Sequence, residues 1–560
     1  MATKGTILKR KISGKDYYYH KYLEDGKQKN EIISEFEAYR LDFEIYFGGN
    51  DLDEFLNHKF NLEVHYGNSL FALCSQTRNY KKRFCYEKLE DFINNSYPGR
   101  VFILYGLRRT GKTTLMLQSI NDYSFKDYAK AVYIKCDKDN TIYQLFDDVE
   151  YLIKNGFKYI YIDEVTLLED FVGLSSTISD IYGLQANVIL SGTDSLGFEI
   201  ASHDELFDRY KMAHTTYISF KEFSYVLGIN SIDKYIEYGG TMSKEGVDYN
   251  KTINKGNNQL NEYVDSSIIH NIIHSIKNVD NGRYFSNLYD LYEKNELENV
   301  INRIIEDSNH RFAISIIEQE FKSHDYGSLK QLLLTPRNYE KFHGVLDGVD
   351  EKKLVHDLMD ALNIINKEKQ THIIDEAVLT ELEYYLKKLD VIDSIKEVSY
   401  PSWNEREKII FTQPGLRYSQ AKILVKILLN DPKLKQYDNI LLKLLEEKLL
   451  SDVKGRMIEE MIIYETSIKY PDTFKMVFAT SGEYDMATLN TKNYSADVFE
   501  IKYSQTIFEE QYRFLLNEEL KAIFERHFYP ISNRIVLYRG EDTELDNVEY
   551  RNIEDFLNTY

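Results

Sequence analysis

The chain is 560 residues long, 43% hydrophobic and 28% charged, which are the proportions of a packed protein of about three to four domains at ~150 residues each. Its 69 basic and 90 acidic residues leave a net charge of −21, which argues against a surface coated in nucleic acid or anionic membrane but leaves room for a local basic groove. Three cysteines (Cys74, Cys85, Cys136) are too few for a disulfide scaffold, no run of ~18 uncharged apolar residues occurs, and the basic N-terminus lacks a signal peptide's apolar core, so a cytoplasmic protein with no membrane partner is expected.

Residues 1–45 read as a small basic β meander and a helix. The runs TILKRKI, DYYYHKYL and KQKNEII are separated by the turn pairs Ser13-Gly14 and Asp25-Gly26, and EFEAYRLDFEIYF follows with helical spacing. From Met1 to Asn30 there are eight Lys/Arg against three Asp/Glu, interleaved with Tyr17, Tyr18, Tyr19 and Tyr22. Two readings stand side by side: cations and aromatics that contact nucleic acid, or charged edges that resist strand addition.

Residues 76–225 carry the most specific pattern. The apolar run Val101 to Tyr105 predicts a buried strand, and it leads into Gly106-Leu107-Arg108-Arg109-Thr110-Gly111-Lys112-Thr113-Thr114 and a helical LMLQSI. This is a P-loop in its required strand–loop–helix setting. Its glycines let backbone N–H groups wrap a polyphosphate, Lys112 reaches the β/γ phosphates, and Thr113 offers a hydroxyl to Mg²⁺. ATP and Mg²⁺ are therefore the expected cofactors. About one βα unit later, KYIYI predicts a strand ending in Asp163-Glu164, where Asp163 can hold the metal and Glu164 can activate water. AVYIKC, NVILS and HTTYIS predict further strands. Thr193, just past NVILS, is a candidate γ-phosphate sensor or an ordinary turn residue, and Arg209 is a candidate arginine finger or a surface pair.

The ordered set GLRRTGKTTL, YIYIDEV, VILSGTDSL, LFDRY, YISFKEF and DKYIEYGG resembles a branch of the AAA-type P-loop ATPases whose C-terminal half carries a restriction-endonuclease-like domain. The family's Arg-Arg pair inside the P-loop is matched by Arg108 and Arg109. Its Gly-[Ser/Thr] element is matched by Gly192 and Thr193, and its Ser-Phe-[Arg/Lys]-Glu-Phe box by Ser219 to Phe223. The chain departs at Asp208, where many members have glycine before the arginine, and at Met242, where proline is usual.

Residues 226–410 read as a helical region. VDSSIIHNIIHSI, NELENVINRIIED, SLKQLLL and AVLTELEYYLKKLDVI have helical apolar spacing, and 245–258 reads as a polar linker. The helix-then-hairpin pattern from 375 to 417 is that of a winged helix, as the resemblance also implies, and its mixed charge favours an adaptor over a DNA-reading element.

Residues 411–560 hold a second candidate site. In the strand ADVFEIKYSQT, Glu500 and Lys502 project to one face. Asp485 lies in a preceding strand-like run, and Glu459 sits on a helix with Ile462, Ile463 and Thr466. Asp485, Glu500 and Glu459 form a candidate metal set, with Lys502 as the catalytic cation beside it. This is the Asp…Glu-x-Lys layout of restriction-type nucleases. QPGLR (Gln413 to Arg417) and Gly455-x-x-x-Glu459 match that family's C-terminal domain in order. The expected protein is α/β throughout: a parallel-sheet P-loop ATPase, a helical and winged-helix middle, and a restriction-endonuclease-like C-terminal domain. The resemblance implies a homo-oligomer acting on nucleic acid, DNA above all, in genome defence or mobile elements. An ATP-gated interaction switch with an inert nuclease fold is the alternative.

Overall fold

The computed structural model describes residues 5–47, 54–95, 97–168, 171–193, 209–242, 268–276, 285–323, 350–370, 375–479, 482–508 and 511–559. The chain divides into two compact units, residues 1–216 with 266–290, and residues 217–265 with 291–560. The expected boundaries at 225/226 and 410/411 differ from this division. Ile218 and, in the SFKEF box, Phe220 and Phe223 belong to the second unit's core, and so does the stretch around residue 411. The helical run SLKQLLL and the linker 245–258 lie outside the described residues.

In the first unit, β1 (Gly5–Ile12), β2 (Lys15–Glu24) and β3 (Lys27–Ile33) form an antiparallel sheet of their own. Ser34 caps the following helix α1 (Glu35–Tyr46) through a capping box with Glu37. One face of the sheet packs Ile7, Tyr18 and Ile33 against Ala38 of that helix. A second sheet has the order β4-β6-β7-β8-β5-β9, made of β4 (Glu63–His65), β5 (Val101–Tyr105), β6 (Ala131–Lys135), β7 (Tyr159–Asp163), β8 (Asn187–Gly192) and β9 (Tyr210–His214). All its pairings are parallel except β4 with β6. The strands β5 to β8 are near-continuous apolar runs because helices cover both faces of such a sheet. One strand, β8, separates the P-loop strand β5 from the acidic strand β7. Among the covering helices are α2 (Lys112–Asn121) and α3 (Ile142–Lys154).

In the second unit, α4 (Phe220–Leu227) begins at the Ser219 cap, and α5 (Glu376–Lys388) precedes the hairpin β10 (Ile392–Tyr400) and β11 (Asn404–Phe411). That hairpin is not a free wing. β10 pairs in parallel with β12 (Thr473–Phe478), so the hairpin is the edge of an eight-stranded sheet, β11-β10-β12-β13-β14-β15-β17-β16. The single tryptophan, Trp403, sits in its turn and stacks on His527, with ring centroids 3.9 Å apart. Next come α6 (Pro414–Leu429) and the 31-residue α7 (Asn439–Lys469). The sheet then continues as an antiparallel meander of β12, β13 (Gly482–Asn490) and β14 (Ser495–Ile501). Helix α8 (Glu518–His527) returns the chain to β15 (Ile531–Tyr538), parallel to β14, before β16 (Thr543–Leu545) and β17 (Val548–Asn552). Two of the singled-out sequence boxes meet here. Gly415 N–H donates to Gly239 O at 3.1 Å, and a Cβ on Gly239 would lie 2.8 Å from the Pro414 ring, so this approach needs a residue without a side chain.

Candidate nucleotide and carboxylate sites

The P-loop runs from the C-terminal end of β5 into α2, and neighbouring side chains fix its backbone. Gly106 has φ +140° and faces two threonines; a Cβ there would lie 2.6 Å from Thr215 Oγ1 and 2.7 Å from Thr216 Oγ1. Leu107 N–H donates to Thr216 Oγ1 at 2.8 Å, and Thr110 shares a hydroxyl–hydroxyl bond of 2.7 Å with Thr215 while donating to Leu107 O at 2.8 Å. Arg83 Nη1 donates to Thr110 O at 2.7 Å. Gly111 caps α2 with a left-handed backbone, and Arg109 is exposed at φ +63° beside the half-buried Arg108. Lys112 is buried and spends its protons on Gly106 O (2.9 Å) and Leu107 O (3.0 Å). Burial pushes its pKa down, and Glu164 and Asp163 oppose that shift. Thr114, the next helical residue but one, is half-buried.

Asp163 ends β7 and gathers its neighbours. Its Oδ2 accepts from Thr113 at 2.6 Å and from the Tyr133 hydroxyl at 2.6 Å. Its Oδ1 accepts from Ser191 on β8 and from Glu164 N–H. Glu164 turns off the strand at φ +56°. Its Oε2 is buried, and no described residue donates to it. Burial raises the Glu164 pKa, Lys112 counters this, and Asp163 adds to it. Thr193 is buried at the end of β8, its N–H donating to Thr166 Oγ1 at 3.1 Å.

Arg209 lies away from its own P-loop. Its carbonyl accepts from Val101 N–H, so it lies at the N-terminal end of β5 and β9, a whole strand away from the P-loop, and its guanidinium pairs with Asp180 at 2.6 Å on the surface. Strand direction excludes it as a finger on its own chain's loop. Sequence spacing alone did not reveal which end of the strand it occupies.

The second cluster lies within the second unit. Asp485 and Glu500 face each other one step beyond the paired residues Met486 and Phe499. Lys502 Nζ bonds both, Asp485 Oδ2 at 3.1 Å and Glu500 Oε2 at 2.6 Å. Ile501 N–H donates to Asp485 Oδ2 at 2.8 Å. Glu459 comes in from α7, held by Arg456. Two residues that the sequence reading missed complete the group. Lys475 on β12 donates to Glu459 Oε1 at 2.6 Å, pairs with Glu483 at 3.0 Å and lies 4.0 Å from Asp485. One oxygen each of Glu459, Glu483 and Asp485 lie within 4.8 Å of one another.

The charges in this cluster divide the acids. Burial, reinforced by Asp485, pushes the Glu500 carboxyl well up. Asp485 is also buried, yet Lys502 and Lys475 together hold its carboxyl below the usual range. Burial raises Glu483, with Lys475 opposing. Lys475 itself is raised, because Glu459, Asp485 and Glu483 outweigh its desolvation. Glu500 Oε1 is buried with no described partner.

Both groups of residues fit the ions expected of them. At the P-loop there are an ammonium bonded to loop carbonyls, a buried Glu164 oxygen without a donor among the described residues and a glycine closed to any side chain. At the second cluster, carboxylates with an unpartnered oxygen suit a hard divalent cation, although Lys475 already lies among them. The residues missed by the sequence reading, Ser191, Tyr133, Arg83, Thr215, Thr216, Glu483 and Lys475, act through tertiary pairing. Only Glu483 carried a local signal, its place on the same strand face as Asp485.

Comparison with known proteins gives likenesses at low identity. An uncharacterized protein of Methanocaldococcus jannaschii is 22% identical over 414 residues, covering 67% of this chain and 89% of its own length. The solved Walker-type ATPase of Pyrococcus abyssi is 12% identical with a TM-score of 0.27, covering 61% of this chain and 95% of that one. The Aeropyrum pernix ORC1 protein in complex with DNA is 13% identical with a TM-score of 0.21, covering 65% and 93%. Among the described residues no helix is long and apolar enough to cross a membrane. Residues 98–224, which carry β5 to β9 and the P-loop, match the family model of the AAA domain, so this part of the chain is similar to the domain of AAA-type ATPases.

Proposed function

We propose that the chain is an Mg²⁺-dependent ATP hydrolase whose P-loop domain is coupled to a restriction-endonuclease-like domain acting on nucleic acid. The observation that carries the ATPase reading is the convergence of Lys112, Thr113, Asp163 and Glu164 at one end of the parallel sheet, with a buried Glu164 oxygen left unpartnered. The loop from Gly106 through Thr114 would cradle the phosphates, and Lys112 would exchange its loop carbonyls for phosphate oxygens. Thr113 and Asp163 would hold Mg²⁺, which when bound neutralises charge on the phosphate oxygens. Glu164, kept receptive to a proton by burial, would take one from the attacking water. Thr193 stands at the sheet end suited to sensing the terminal phosphate.

The meander of β12, β13 and β14, the returning β15 and the approach of Asp485, Glu500, Lys502 and Glu459 support the nuclease-like reading of the second unit. A second reading, an ATP-gated switch with an inert nuclease fold, is favoured by one observation: Lys475 neutralises the carboxylates a metal would need.

Phosphate release and strand scission, followed in parallel on purified protein with ATP, Mg²⁺ and labelled DNA, separate these readings. Loss of ATP turnover in Lys112→Ala together with loss of scission in Asp485→Ala supports the coupled enzyme. Turnover without scission in the parent protein selects the switch. Turnover unchanged in Lys112→Ala refutes both.

A further inference from the structure

The strand registers sort the N-terminal sheet into two unlike faces. Directly opposed residues share a face, and successive residues alternate. The pairs Lys9 with Tyr18 and Tyr18 with Ile33 place the α1-packed face. On that same face lie all three acids of the strands β1 to β3 that pair, Asp16, Glu24 and Glu31. The pairs Arg10 with Tyr17, Leu8 with Tyr19 and Tyr19 with Ile32 define the opposite face. No Asp or Glu lies on it. It carries Arg10, Lys15 and Lys21 around Tyr17 and Tyr19, in a chain whose net charge is −21.

This face is open. Tyr17 is 36% exposed and Ile32 68%, and Arg10 and Lys15 are exposed. The Arg10 guanidinium lies 5.6 Å from the Tyr19 ring centroid, so cation and ring form one surface. Tyr17 and Tyr19 are two residues apart on the central strand, about 7 Å along it. Edge protection does not account for the pattern. It calls for charge on the outer strands, whereas Lys15, Lys21 and both tyrosines are on the central strand β2.

We infer that this outward face binds single-stranded nucleic acid. Unpaired bases present the π-faces that stack on Tyr17 and Tyr19, and the flanking Arg10, Lys15 and Lys21 meet the phosphates. An acidic protein or an anionic bilayer would use the cations but not the paired rings. The inference extends the proposed action on nucleic acid, yet it stands on neither the ATP site nor the carboxylate cluster. It is therefore tested without nucleotide and with EDTA present, where failure of those sites changes nothing.

The experiment is fluorescence anisotropy of the full chain with labelled single-stranded oligo-dT and oligo-U, the corresponding duplex, and anionic phosphatidylserine vesicles. Arg10→Glu with Lys21→Glu is expected to weaken single-strand binding about a hundredfold, and to flatten the salt dependence by about 1.4 in log–log slope. Tyr17→Ala with Tyr19→Ala is expected to cost about tenfold or more. Lys11→Glu with Lys27→Glu, the same charge change on the α1-packed face, is expected to cost far less. Equal loss in both charge pairs, no oligonucleotide binding, or binding to vesicles or duplex in preference to single strands overturns the inference.

Discussion

Two buried lysine sites set the two units apart. Lys112 is surrounded by backbone carbonyls, and burial drives its pKa down; Lys475 and Lys502 are surrounded by carboxylates, and their pKa values are driven up. The first site holds a cation in want of an anion. The second holds cations whose anions are already in place. A P-loop is thus strained toward its ligand by its own desolvation, whereas the carboxylate cluster is self-neutralised and must break ion pairs to admit a metal. The same residue type therefore marks readiness in one unit and closure in the other.

Lys112→Ala is expected to abolish ATP turnover, and Glu164→Gln to slow it by about 10²–10⁴ while retaining nucleotide, as phosphate release and nucleotide retention on a filter would show. In the second unit, Lys475→Met leaves Glu459 and Glu483 without their shared cation. It is expected to cost about 3–5 kcal/mol in urea unfolding with EDTA, part of which Mg²⁺ restores in the variant but not in the parent.

A third contrast concerns Glu465 of α7, which accepts from Phe220 N–H at 2.8 Å and from Tyr235 at 3.1 Å. Burial lifts its carboxyl from 4.5 to about 7, with those donors pulling back. The folded state then holds a proton that the unfolded state has released, so stability falls as pH rises from about 4.5 to 7 and is flat above. At ~1.4 kcal/mol per unit this amounts to about 3 kcal/mol. Glu465→Gln should lose that slope in a pH series of denaturation curves. The smallest effect is Tyr133→Phe, which removes one donor from Asp163 and is expected to reduce ATP turnover a few-fold, at about 1 kcal/mol for the hydrogen bond.

The P-loop site was legible because its chemistry is contiguous. Gly106 to Thr114 form a single turn of chain, and Asp163-Glu164 end a recognisable apolar strand. The carboxylate cluster was half legible. Alternation placed Glu500 with Lys502, but Lys475 comes from β12, whose pairing with β13 no local pattern announces. The hairpin at 392–411 was legible as a hairpin and misread as a wing, because its parallel partner β12 lies some sixty residues downstream in α7's shadow of sequence. The place of Arg209 was not legible, because an arginine's position along a strand depends on which end faces the loop.

The stacking of Trp403 on His527 has a practical corollary. With one indole among 46 tyrosines, red-edge excitation addresses a single chromophore, and that chromophore belongs to the edge of the eight-stranded sheet. Its emission is a native gauge of the second unit. A change in that emission on mixing with ATP would be a direct optical record of one unit answering the other, obtained without attaching a dye.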